Sequence, residues 1–206
     1  QIWYFNHALE YGEVNPVRLS FGIMNWSELG RRYPKARQAM IEIRDRDVRE
    51  FSAGRGYADL FSEVQSLNRE LADDDATLAL FKSIYQQDKQ LAQQCFLFAE
   101  NLLVQHGDYE ICREYLGDPQ AAFERIRQSW QRLKQFEEQN AERNEDMKRH
   151  FQAMAKTNSI YAHLPQFPSP PLFADQNFVT QTRQLIEILV ATGDKPEAER
   201  IQSEAV

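Results

Sequence analysis

The chain has 206 residues and a formal net charge of −7, and it is rich in aromatic residues, with 13 Phe, 8 Tyr and 3 Trp. This length corresponds to one large domain or two small ones, at roughly 100–200 residues per domain. The apolar content is sufficient for a core and excludes a globally disordered chain. Because nucleic-acid binders usually carry a basic excess, the acidic balance disfavours nucleic acid as a partner. No apolar run approaches the roughly 18 residues of a membrane-spanning helix.

The first third of the chain predicts four helices. Apolar residues recur at helical spacing over 1–12, 17–33, 34–51 and 60–71. The outer face of the third helix carries charges of alternating sign, which are typical of a solvated surface: Arg44, Asp45, Arg46, Asp47, Arg49 and Glu50. The aspartate cluster at 73–75 is expected to cap the following helix, because short acidic side chains accept hydrogen bonds from the free N–H groups of a first turn.

The stretch 94–119 predicts two helices that are joined by a tight turn. Apolar side chains cover a wide arc of the first helix, so we expect an inner helix that is packed between neighbours, with Asp88 as its N-cap. Gly107 can adopt the left-handed conformation that ends a helix, and Asp108 can cap the helix that follows. The sequence Gly-Asp-Pro at 117–119 repeats this order of a helix-ending glycine and a capping aspartate, and it places proline at a first helical position.

The second half of the chain begins with a long, highly charged helix near 119–156. Four prolines and several aromatic residues then predict an extended segment over 157–177, which lies on the surface or docks as a peptide on the chain's own concave face. A C-terminal helical hairpin over 178–206 is expected to pack on the same domain as 1–156. No stretch alternates as a strand does, so the sequence predicts an all-α fold.

Two turns of the chain match in register. The sequences L-L-V-Q-H-G-D-Y-E-I-C (102–112) and I-L-V-A-T-G-D-K-P-E-A (188–198) both place Gly-Asp after an aliphatic helix end and a small residue five positions past the glycine. The stretch N-W-S-E-L-G-R-R-Y (25–33) also fits the pattern W-x2-L-G-x2-Y, through Trp26, Leu29, Gly30 and Tyr33. In these features the chain resembles tetratricopeptide repeats.

The resemblance implies an array of antiparallel helical hairpins, either a tetratricopeptide-like superhelix or a right-handed α-solenoid. The resemblance also implies binding of a peptide or another protein on a concave surface, and it does not imply chemistry. A helical bundle without repeats is the alternative architecture.

The residues that could carry chemistry form no recognisable motif. The four histidines stand at no metal-ligand spacing, and no phosphate loop or nucleophile elbow occurs, so the sequence predicts no catalytic, metal or cofactor site. Cys95 and Cys112 do not lie level across the predicted turn, so we expect two buried thiols rather than a disulfide. His106 precedes the turn glycine, where a cation suits a helix C-terminus.

One group of residues is a candidate binding site. Four basic side chains surround Pro34, at the end of one predicted helix and the start of the next: Arg31, Arg32, Lys35 and Arg37. Their charges are expected to converge, and a groove with this patch could bind an acidic peptide. The alternative interpretation is a set of solvated surface charges.

The sequence therefore favours a non-catalytic module that binds a protein or peptide. The alternative is an α-helical enzyme or small-molecule-binding domain, which should show an enclosed pocket with a buried titratable pair. A cytoplasmic location is favoured, although Gln1 lies within an apolar segment, as in a chain that starts after a removed leader, and export stays open. The oligomeric state, and whether residues 1–206 are a whole protein, stay open as well.

Overall fold

A computed structural model describes residues 2–7, 17–155 and 172–205, and every regular element in these ranges is helical. The all-α prediction is thereby confirmed. The described residues form a π-helical turn, Arg18–Gly22, and ten α-helices. The helices are α1 (Ile2–His7), α2 (Ile23–Arg32), α3 (Pro34–Ser52), α4 (Ala58–Leu71), α5 (Asp74–Gln87), α6 (Lys89–Gln105), α7 (Tyr109–Leu116), α8 (Pro119–Ala155), α9 (Ala174–Ala191) and α10 (Lys195–Glu204).

The chain divides into two compact units, Gln1–Tyr115 and Leu116–Val206. In the first unit α4 is the central helix, because it packs against α2, α3, α5 and α6. Phe61, Val64 and Leu67 of α4 are fully buried, and the Phe61 ring meets Phe81 of α5 edge to face. These contacts bury apolar surface on several sides of one helix, which is what stabilises a multi-helix core.

Helix α6, which was expected to be an inner helix between neighbours, packs against two helices but is only partly enclosed. It packs against α4 and α5 through Ala92, Cys95, Ala99 and Leu103. Its other side remains open, since Leu97 is 78% exposed and Phe98 is 37% exposed. The wide apolar arc of α6 is therefore not covered by neighbouring helices on every side. Asp88 caps this helix as predicted, with its Oδ1 accepting from the Leu91 N–H at 2.9 Å.

The two turns that match in sequence also match in backbone geometry. At the end of α6 the Asp108 N–H donates to the Leu103 carbonyl at 2.9 Å, and Gly107 has a φ of +75°. At the end of α9 the Asp194 N–H donates to the Leu189 carbonyl at 2.8 Å, and Gly193 has a φ of +88°. Both are helix ends in which a left-handed glycine lets the chain close a six-residue hydrogen bond. The small residues five positions past the glycines, Cys112 and Ala198, are both buried.

The second unit is built on the long helix α8, against which α9 and α10 pack. The predicted helix near 119–156 is confirmed as Pro119–Ala155, and Asp118 caps it by accepting from the Ala121 N–H at 2.7 Å. Helix α9 begins at Ala174, so the predicted extended segment is wrong for 174–177. Leu172 and Phe173 precede the helix without regular structure, and the rest of the segment, 157–171, together with the idea that it docks as a peptide, lies outside the described residues.

The early start of α9 has a cause that sequence periodicity does not contain. The Glu137 carboxylate of α8 accepts hydrogen bonds from the backbone N–H groups of Phe173 and Ala174, the latter at 2.8 Å. One and two turns earlier on α8, Lys134 and Trp130 donate to the Asp175 carboxylate at 2.7 and 2.8 Å. The Lys134 hydrogen bond is the main cause that holds the pKa of Asp175 below its ordinary value. Side chains of α8 therefore cap α9 at its N-terminus.

Candidate functional site

The four basic residues of the candidate site lie at the junction of α2 and α3. Arg31 and Arg32 close α2, and Lys35 and Arg37 occupy the first turn of α3. Between them Tyr33 adopts an extended backbone, with φ −128° and ψ 99°, because Pro34 disfavours a helical conformation in the residue before it. All four basic side chains are exposed to solvent.

Glu28 draws two of these cations together. Its two carboxylate oxygens accept from Arg31 Nη1 at 2.9 Å and from Arg32 Nη2 at 3.3 Å. The two arginines stand three and four residues further along α2. The Arg31 and Arg32 side chains stay 76% and 73% exposed, so the pairs contribute little to folding stability. A guanidinium has five N–H donors, and these two therefore keep donors for a ligand.

The junction itself is held by close packing. A Cβ on Gly30 would lie 3.2–3.3 Å from the backbone and Cβ of Arg37, so any larger residue would push α3 away from α2 by a few tenths of an ångström. The buried Trp26 donates from Nε1 to the Ala36 carbonyl at 3.0 Å. Of the four residues that carry the family resemblance, Trp26 and Gly30 are buried, whereas Leu29 and Tyr33 are exposed.

The structure groups the four predicted residues unevenly. Arg31 and Arg32 share one carboxylate, while Lys35 and Arg37 lie on the next helix, and the Arg37 backbone faces Gly30. Residues 28–37 contain four basic side chains and one acidic side chain, Glu28, although the net charge of the whole chain is −7. The junction is thus a local positive surface, and such a surface attracts acidic groups.

A second polar cluster is buried in the first unit, and none of its residues was predicted as a site from the sequence. Asp47 was predicted on a solvated face, and that prediction is wrong, because Asp47 is only 3% exposed. It follows Met40 and Ile43 on the same side of α3, and this helical phase was the signal that the charge pattern concealed. Arg44 is also partly buried, donating to Asn68 at 2.6 Å and to Asp73 at 2.9 Å. The predicted cap residue Asp73 does stand at the N-cap of α5, but its carboxylate binds Arg44 instead of the helix backbone.

The buried cluster joins α1, the π-helical turn, α3 and α4. Arg18, which is 3% exposed, donates to the Glu63 carboxylate and to the Phe5 carbonyl, and its guanidinium lies 4.2 Å from the Phe5 ring centre. Asp47 Oδ1 accepts from Arg46 Nε at 2.8 Å, but Asp47 Oδ2 has no donor among the described residues. Burial raises the pKa of Asp47, the Arg46 hydrogen bond lowers it, and the negative charge of Glu63 raises it further.

A surface cavity of about 280 Å³ lies elsewhere in the first unit, between the α3–α4 connection and helices α5 and α6. Its wall is mixed: Phe51, Ser52, Gly54, Gly56, Leu80, Ser83, Ile84, Gln87, Asp88 and Leu91. The only titratable residue in this wall is Asp88, whose carboxylate caps α6. Neither Asp47 nor Glu63 lines the cavity, so the buried acidic pair and the cavity do not form one site.

The remaining candidates for chemistry, two cysteines and His106, lie in surroundings that fit a structural role. Cys95 and Cys112 are free and buried, as predicted, and burial is the main cause that raises the pKa of each thiol to about 12. His106 is the C-cap residue that follows α6, and its Nε2 lies 3.6 Å from an Asp75 oxygen, next to the turn glycine. In the described part of the chain no three His, Cys, Asp or Glu side chains are grouped to hold a metal ion, and no helix there is long and apolar enough to cross a membrane.

Comparison with known proteins finds no family model, no curated protein and no solved structure that matches this chain.

Proposed function

We propose that the chain is a non-catalytic module that binds a protein or peptide, and that it belongs to the helical-repeat type with tetratricopeptide-like hairpins. The observation that carries the proposal is the exposed positive surface at the α2–α3 junction. Four basic side chains stand there in an acidic chain, and they have one acidic neighbour within their own stretch. Such a surface attracts a partner that carries carboxylates and speeds its encounter.

The repeated turn supports the architectural part of the proposal. The helix ends at Gly107 and Gly193 use the same hydrogen bonds, and each leads into a short helix that buries a small residue. Repeat proteins reuse one such hairpin unit and expose side chains along the stacked helices for binding. We therefore propose that these turns mark hairpin units of a superhelical or solenoid-like scaffold.

An enzyme or small-molecule-binding domain is the competing function, and the observation that favours it is the cavity of about 280 Å³. That volume lies just below the roughly 300 Å³ at which ligand pockets begin. A catalytic pocket also concentrates perturbed titratable groups, whereas the acid with the raised pKa, Asp47, lies outside the cavity wall. The binding module is accordingly the better-supported function.

A selection from a random peptide display library tests the proposal. The protein is immobilised, and retained peptides are sequenced from the native chain and from the variant Arg31→Glu/Arg32→Glu. We expect enrichment of Asp and Glu on the native chain and loss of that enrichment on the variant. The control Arg132→Glu/Arg143→Glu makes the same charge change at two exposed positions of α8, and it should keep the enrichment. Selection of no peptide, or equal loss with both variants, would contradict the proposal.

A further inference from the structure

An exposed apolar row precedes the basic residues on the same helical segment. Val17, Phe21 and Met24 are 49%, 63% and 49% exposed. They are spaced four and three residues apart, which places them on one side of a helix. Single exposed apolar residues are common, but a row of three large ones is typical of an interaction surface.

The opposite side of this segment is committed to the core, and this explains why the row faces solvent. Ile23 and Trp26 are buried in a cluster with Phe5, Met40 and Ile43. The π-helical turn Arg18–Gly22 directs Arg18 inward to Glu63. A π-helical turn inserts an extra residue into a helix and often occurs at functional sites. With Arg18, Ile23 and Trp26 anchored inside, the apolar row cannot turn toward the core.

The apolar row leads directly into the basic site. Glu28 and Arg31 continue the same spacing beyond Met24, at four and then three residues. The surface formed by Val17, Phe21, Met24, Glu28, Arg31 and Arg32 is called here the α2 strip, and at its basic end two arginines outnumber one glutamate. At 1.5 Å per residue, it extends for about 20 Å from its apolar end to its basic end.

We propose that the α2 strip docks an amphipathic helical segment of another protein, with apolar residues at one end and carboxylates at the other. This inference rests on the proposed function and specifies its partner. Charge complementarity fixes the acidic end of the partner, because Arg31 and Arg32 present free donors that pair with carboxylates. The apolar end of the partner covers Phe21 and Met24, as in helix-in-groove recognition, where apolar anchors recur every three and four residues.

The probe is a fluorescein-labelled synthetic helix of about 14 residues, the length that matches the strip. It carries leucines spaced four and three residues apart at one end and a glutamate-rich turn at the other, and it is made in both chain directions. A third peptide replaces the glutamates by lysines. Binding to the full chain is followed by fluorescence anisotropy, and circular dichroism verifies the helix content of every variant.

We expect at least one acidic helix to bind saturably and the lysine peptide to bind at least about tenfold more weakly. Phe21→Ser/Met24→Ser and Arg31→Glu/Arg32→Glu should each weaken the acidic helix by about tenfold or more. The matched controls are Leu97→Ser/Val179→Ser, at exposed apolar positions, and Arg132→Glu/Arg143→Glu. These controls should bind as the native chain does.

Three results would overturn the inference: no binding of either acidic helix, equal weakening by the control variants, or self-association of the chain through the strip. Failure of the inference is distinct from failure of the proposed function. If library-selected peptides require Arg31 and Arg32 but tolerate Phe21→Ser/Met24→Ser, the peptide-binding function stands and the partner proposed for the α2 strip is wrong. If the library yields no peptide, the function itself is wrong.

Discussion

At the residue scale, Asp47 is the side chain whose environment departs most from what its neighbours in sequence suggest. Its charged neighbours on α3 led to the prediction of a solvated face, yet its position is set by Met40 and Ile43, which share its side of the helix. Arg46 faces its Oδ1 from α3 itself, and Glu63 faces it from α4, where Arg18 of the π-helical turn binds Glu63. A proton on Asp47 Oδ2 would turn this unpartnered oxygen into a donor, which could then bond to the Glu63 carboxylate.

The raised pKa of Asp47 makes folding stability depend on pH. The folded state holds this proton more tightly than the unfolded state, whose carboxyl has the ordinary value of 3.8. The stability that the Asp47 proton contributes to the folded state is therefore fully present below pH 3.8. It is lost as the pH rises through the pKa of Asp47 in the folded state. Above that range the chain keeps a buried, charged carboxylate that faces Glu63.

Asp47→Asn should remove this fall in stability with rising pH, because the amide oxygen still accepts from Arg46 and the NH₂ group can donate to Glu63. We expect the free energy of unfolding of the variant to exceed that of the native chain by about 1–3 kcal/mol at pH 7, the cost of an unsatisfied buried polar group. The difference should shrink toward pH 4. Urea unfolding followed by circular dichroism over this pH range measures it.

The neighbouring variant Asp45→Asn is the control for this prediction. Asp45 is half-exposed and pairs with Arg44 at 2.6 Å, so its loss should have little effect and should not follow the same pH profile. If Asp47→Asn destabilised the chain equally at every pH, the carboxylate would be needed as an ionised acceptor and the account of Asp47 would be wrong.

At the element scale, local sequence signals predicted the helices well because caps and turns act over a few residues. Gly107, Asp88 and Pro119 each mark an observed helix boundary. The signals failed where a distant element decides the outcome. Helix α9 begins at Ala174 because Glu137, 37 residues earlier, caps it. The open side of α6 could not be predicted, because the apolar pattern of a helix does not say how many neighbours pack against it.

The turn glycines allow a direct test of the shared geometry. Gly107→Ala should cost about 1–2 kcal/mol, since its φ of +75° is unfavourable for a residue with a Cβ. The added Cβ itself would find room, because its nearest neighbour lies 3.7 Å away. Gly193→Ala should cost about the same, and Asn at either position should cost less, because Asn tolerates this conformation. Thermal unfolding of the four variants measures these costs, and equal stability of the Ala and native proteins would contradict the assignment.

The cap that Glu137 provides for α9 gives a second test at this scale. Glu137→Ala should destabilise the helix start by about 0.5–2 kcal/mol, as loss of an N-cap acceptor does. Hydrogen exchange should accelerate at the Phe173 and Ala174 amides, which donate to Glu137. The adjacent Glu138→Ala, at an exposed position, should leave both amides unchanged. Equal acceleration in the two variants would show that Glu137 does not act as a cap.

At the scale of the whole molecule, the sequence pattern predicted the all-α fold class but not the division into units. An all-α chain follows from helical periodicity and the absence of alternation. The two units, Gln1–Tyr115 and Leu116–Val206, follow from which helices share a core, and that depends on contacts between distant residues. The four basic residues could be named from sequence because charge is local. The apolar row beside them could not, since the residues of 17–33 that face outward were known only once the core partners of Ile23 and Trp26 were placed.

The central claim is that the chain binds an acidic partner on the first unit, at the α2 strip. The most direct measurement is nuclear magnetic resonance of the backbone amides during titration with a peptide from the display selection. The account predicts shift changes concentrated at 17–37, which weaken as salt is added because exposed charge pairs are screened. Shift changes confined to the cavity residues between α5 and α6, or to residues 116–206, would contradict it.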